Sequence, residues 1–213
     1  MSLKDLIERL ASDTKPVPVR SLFRKIIWPS LAIGALCGLV LMLVTIGLNS
    51  GLRDSGMLAQ IQVRAGLGLA ATFAGLAALA PSLRPDVSSV LPKRILATAI
   101  TLLFAVAAAQ LSYDGPSLSV LYLGTSIGHS PWVIIVLASP SFVSLVFGVR
   151  FEAPTHLNVT GAALGLTSGG VGAAIYAFGC SETSRSLGLA WFSVGILVAT
   201  LLGMLIASRL LRW

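Results

Sequence analysis

The stretch FGCSETSRSLGLAWF, residues 178–192, sets one thiol, one acid, several hydroxyls and one arginine between two long apolar runs. A thiolate is both nucleophile and soft metal ligand. With the Glu182 carboxylate and the His129 imidazole it has the donor types for a borderline metal. Three readings of Cys180 stand side by side. It closes a helix end as a small, half-buried residue; or it meets a soft metal or an oxidant, with Glu182 and His129 beside it; or it pairs with the same thiol of a second copy, giving a homodimer. Two cysteines, Cys37 and Cys180, are too few for a disulfide framework. The sequence has no Gly-rich phosphate loop, no histidine cluster and no nucleophile with a nearby base. The expectation is a non-enzyme with no cofactor and an open metal assignment.

The elements that must position Cys180 are read from composition. Of 213 residues, 55% are hydrophobic and 11% charged, with mean hydropathy +0.90. A soluble domain carries about 25% charged residues, so most of this chain belongs in lipid. Six runs approach or exceed the roughly 20 apolar residues needed to cross hydrocarbon: residues 26–48, 65–83, 95–111, 131–149, 157–179 and 187–207. As drawn, none contains a charge. Pro29 falls in the first turn of the first run, and Pro140 is expected to kink the fourth. The expected fold class is all-α: a polytopic membrane bundle of six transmembrane helices over residues 26–213, preceded by a short cytoplasmic segment, residues 1–25.

The net charge of +7 is not one patch. The basic residues punctuate the ends of the runs, so direct nucleic-acid binding is not expected. Twelve of them fall on the side of the termini; three, Arg53, Arg64 and Arg185, fall on the other. Positive charge stays inside, which puts both termini in the cytoplasm of a multi-pass inner-membrane protein. Gly34 with Gly38, and Gly161, Gly165, Gly169 with Ala173, recur at four-residue spacing and read as helix-packing faces. Packing within one bundle outweighs a dimer seam. The absence of charge from the runs argues against the rival reading, a small transporter or channel with an amino-terminal anchor.

Residues 2–12, SLKDLIERLAS, have a different pattern. Leu3, Leu6, Ile7 and Leu10 fall at i, i+3, i+4 and i+7, one face of a helix. Ser2 with Asp5 forms a capping pair, the other face carries Lys4, Asp5, Glu8 and Arg9, and KPVPVR ends the helix. Either the helix lies on the inner leaflet, or its apolar stripe docks in a groove of a soluble partner. The charge-balanced polar face gains little from anionic lipid, which favours docking.

Together, LKDLIERLASDTKPVPV, APTHLNVTGAALGLTSGGVGAAIYAFGCSE and AWFSVGILVATLLGMLIASRLLRW resemble the integral-membrane anti-sigma factors of the negative regulator of sigma-F (NrsF) family, over nearly the whole length. The resemblance implies that the amino-terminal segment holds an extracytoplasmic-function sigma factor at the membrane. Leu3, Leu6, Ile7 and Leu10 would make the contact, and Lys4 and Arg9 would meet acidic partner side chains. It also implies release on an envelope signal linked to heavy metal or oxidative stress. Family members carry two periplasmic-side cysteines; here Ser130 stands where the first would be. Cys37 does not replace it. It lies mid-span, roughly 15 Å or more from the interface, whereas a disulfide needs Cα atoms within about 7 Å.

Overall fold

Inside hydrocarbon there is no water to bond the backbone, so a long apolar run satisfies its own N–H and C=O groups by forming a helix. The computed structural model describes residues 19–47, 55–83, 90–113, 130–150, 156–179 and 185–210, and no strand occurs among them. Six helices result: α1 (Val19–Thr45), α2 (Ser55–Ser82), α3 (Val90–Tyr113), α4 (Ser130–Arg150), α5 (Leu157–Gly179) and α6 (Arg185–Leu210). Each contains a stretch long and apolar enough to cross a bilayer. Leu36, Phe104, Trp132 and Leu205 are exposed, on a surface suited to lipid rather than water.

The expected runs match α4 and α5 closely, whereas the other helices extend further. α1 begins at Val19, so Pro29 lies inside the helix and not in its first turn. The neighbouring Ser30 hydroxyl donates to the Ile26 carbonyl at 2.8 Å, the kind of local side-chain bond that accompanies proline in membrane helices. α1 also stops at Thr45, short of the expected Leu48. Gly47 takes φ +79°, a region that glycine enters without a Cβ penalty. The N–H groups of Ile46 and Gly47 both donate to the Met42 carbonyl, at 2.9 and 3.1 Å.

α5 is the axle. It contacts all five other helices, and 94% of its core window is buried, against 22–44% for the rest. Its sequence explains why. Gly161, Gly165 and Gly169 press on α6, where a Cβ at Gly165 would come within 2.5 Å of the Ala199 carbonyl oxygen. Gly170 presses on α2 and Gly172 on α4. Small residues on three sides admit three neighbours at backbone distance. The recurring glycines of α5 thus form seams within the chain, as do Gly34 and Gly38, which meet Ser141 and Leu137 of α4.

Along the α1–α4, α2–α5 and α5–α6 seams residue numbers rise on one helix as they fall on the other, and between α1 and α5 they rise together, Gly38 meeting Ile175 and Gly179 meeting Met42. α1 and α4, α2 and α5, α4 and α5, and α5 and α6 therefore run antiparallel. The last turns of α1 and α5 and the first turns of α2, α4 and α6 meet at one end of the bundle, here the far end. α1 begins and α6 finishes at the opposite, terminal end.

Candidate functional site

The sequence-predicted contacts Leu3, Lys4, Leu6, Ile7, Arg9 and Leu10 lie outside the described residues, and so do His129, Cys180 and Glu182. α4 starts at Ser130 and α5 ends at Gly179, so the chain positions of His129 and Cys180 both adjoin helix ends at the far end. Among the described residues no group of three His, Cys, Asp or Glu side chains could hold a metal, and Cys37 is an exposed free thiol.

What the far end does hold is a buried arginine. The charge pattern assigns Arg64 to an external loop before the second span. Instead α2 starts at Ser55, the span runs from Leu58 to Ser82, and Arg64 is 2% exposed. By helix rise it sits about 9 Å inside the span. The charge-free reading of this span is thereby corrected. Its guanidinium carbon lies 5.6 Å from the centroid of the Phe192 ring on α6. Phe192 stacks in turn on Tyr176 of α5, with centroids 5.3 Å apart and planes 26° from parallel. One cation and two rings therefore tie α2, α5 and α6 together.

Magnitudes make this arrangement reasonable. An arginine at the centre of a membrane helix costs about 2.5–3.5 kcal/mol on insertion scales. A desolvated cation–π contact contributes about 2 kcal/mol, and an aromatic pair about 0.5–1.5 kcal/mol. The cation–π contact offsets part of the burial cost, and the aromatic pair holds the ring that makes it. The signal in the sequence is the spacing: Ile61, Arg64, Ala65, Gly68, Ala71 and Thr72 are all buried, and the period of 3.6 runs straight through the arginine. Stopping the span at the charge hides it.

Comparison with known proteins places this bundle. The family described as "Negative regulator of sigma F" (NrsF) matches residues 10–213. The chain belongs to the NrsF family. Across 216 aligned positions it is 27% identical to a probable anti-sigma-F factor NrsF of Azospira oryzae, covering all of both chains. Over 80 residues it is 38% identical to the anti-sigma-F factor NrsF of Caulobacter vibrioides, covering 38% of this chain and 37% of that one. No solved structure matches. The NrsF match takes in Arg64, Tyr176 and Phe192, and it starts at Leu10, the last member of the amino-terminal stripe.

Proposed function

We propose that this chain is a membrane-embedded anti-sigma factor. Residues 1–25 hold an extracytoplasmic-function sigma factor at the cytoplasmic face of a bacterial inner membrane, and the six helices tether that segment and carry an envelope signal to it. The observation that carries the reading is the NrsF match over residues 10–213. The names of the two relatives, both anti-sigma-F factors, supply the partner class. With Arg64 inside its span, twelve basic residues toward the terminal end against Arg53 and Arg185 at the other favour a terminal end that lies inside, on the side where a sigma factor works. The far end then faces the periplasm. Catalysis has no part in this reading.

Arg64 gives the transporter reading one buried charge that the sequence had not offered it. A relay needs more than one ionisable group along its path, and the six described helices contain no Asp or Glu. A single deletion separates the two readings. Removing residues 2–20 is expected to raise sigma-dependent transcription to the level of a complete gene deletion and to leave solute uptake unchanged. Unchanged transcription with altered uptake or resistance would replace this proposal with a transporter.

The signal reading assigns Cys180 a sensing role, with His129 and Glu182 as neighbours. Tyr176 stands four positions before it on α5, and the Tyr176–Phe192–Arg64 contact links that helix to α6 and α2. A change at the thiol would thus reach three helices at once. Cys180→Ser is expected to abolish induction by heavy metal and by oxidant while keeping basal repression. A full response from that variant, measured with a sigma-dependent reporter, removes the thiol from the mechanism.

A further inference from the structure

α4 changes partners at Pro140. On the far side of the proline its backbone is held by α5 and α6. A Cβ at Gly172 would come within 2.7 Å of the Ile134 carbonyl oxygen and 2.8 Å of the Ala138 nitrogen, and one at Gly195 within 2.9 Å of Ile134 Cδ1. On the terminal side its glycine-mediated approaches are to α1. Gly34 meets the Cα of Ser141, Gly148 meets Ser30, and the Ser144 hydroxyl donates to the Ser30 carbonyl at 2.8 Å. Toward α6 a cleft opens at this level, lined by Ser139, Phe142, Ala199, Gly203 and Ile206.

Pro140 also interrupts the helix's own ladder. It has no N–H for the Val136 carbonyl. The Ser139 hydroxyl donates to that oxygen instead, at 2.7 Å, so a bend here leaves the carbonyl paired. One residue on, Ser141 is fully buried, and its hydroxyl has no hydrogen-bond partner among the described residues. A buried hydroxyl without a bond disfavours the position it occupies.

We propose that α4 is hinged at Pro140 and that its terminal half has two positions, one as described and one swung toward α6 with the cleft closed. α1 carries no proline beyond Pro29, so it follows as a lever, pivoting where Gly38 and Met42 rest on α5. The moving end of that lever is the start of α1, which leads back to the amino-terminal segment. Control of a sigma factor by this movement rests on the function proposed above; the hinge itself does not.

The test measures distances between pairs of spin labels by double electron–electron resonance, on the full-length chain in bilayer nanodiscs with Cys37→Ala and Cys180→Ser. The reference label is at Lys93 of α3, a helix packed mainly on α6 and α2. The second label is at Phe147 of α4 or at Lys25 of α1, and all three positions are exposed. Phe147 lies about 10 Å beyond Pro140 by helix rise, so a bend of about 20° displaces it by about 4 Å. The Phe147–Lys93 pair is expected to show two separations about 4 Å apart, and Lys25–Lys93 to divide in the same proportion. Trp132–Ser112, an exposed pair on the far side of the hinge, is expected to show one. Pro140→Ala restores the missing N–H and is expected to leave a single separation in both terminal pairs. Ile206→Trp, at an exposed position lining the cleft, is expected to remove the closed position and keep the open one. A single Phe147–Lys93 separation without either substitution overturns the hinge, as do two separations that survive Pro140→Ala. A Lys25–Lys93 distance that does not follow overturns the lever. Unchanged transcription after removal of residues 2–20 fails the sigma-factor reading and leaves all of these distances standing.

Discussion

Leu6→Asp is expected to weaken binding of the sigma factor by about 100-fold or more, while the protein still reaches the membrane in wild-type amount. Leu6 sits at the centre of the stripe formed with Leu3, Ile7 and Leu10. Burying one such side chain is worth about 1.5–3 kcal/mol, and a carboxylate in its place would also have to be desolvated. Each 1.4 kcal/mol is a factor of about ten in affinity. Glu8→Gln, on the polar face, is expected to change binding less than about threefold. The assay is co-purification from solubilised membranes alongside a sigma-dependent reporter. Intact co-purification of Leu6→Asp would mean that the stripe touches something else, and the inner leaflet would become its natural resting place.

The second large effect concerns the far end. Arg64→Ala is expected to destabilise the solubilised bundle by about 2–4 kcal/mol, since it removes a long buried side chain and leaves a void beside Phe192. Arg64→Met should recover at least half of that loss, because the thioether fills similar space and has no charge to bury. Thermal unfolding of the full-length protein reads both variants. If Arg64→Ala unfolds like wild type, the contact with Phe192 contributes nothing to the fold. Loosening α2 from α6 should also make repression leaky, visible as raised basal transcription without inducer.

Much of the architecture is legible because lipid imposes a simple rule. A run such as 157–179 has no charge and no terminating glycine turn inside it, and its expected bounds coincide with α5. The four-residue spacing of Gly161, Gly165 and Gly169 names a packing face, and α6 covers it. Hydropathy does not say which helix lies inside: different scales put α5 at opposite ends of the six, although it is the most buried. Its glycines, its one serine and its two threonines suit protein contact better than lipid contact. A charge is a poor border for α2, because the buried face at Ile61 and Arg64 continues into Ala65 and Gly68. The stop at Gly47 is hidden in the sequence, since Ile46 and Leu48 keep it apolar past the turn. The amino-terminal stripe and the Cys180 neighbourhood remain sequence arguments, lying outside the described residues.

The composition of α5 bears on how the protein is made. A segment this rich in Gly and Ala offers backbone instead of greasy side chains on three of its sides. Its Gly161–Gly169 face is covered by α6, which follows it in the chain. The most enclosed helix is thus expected to be held only loosely until α6, which is made after it, has packed against that face.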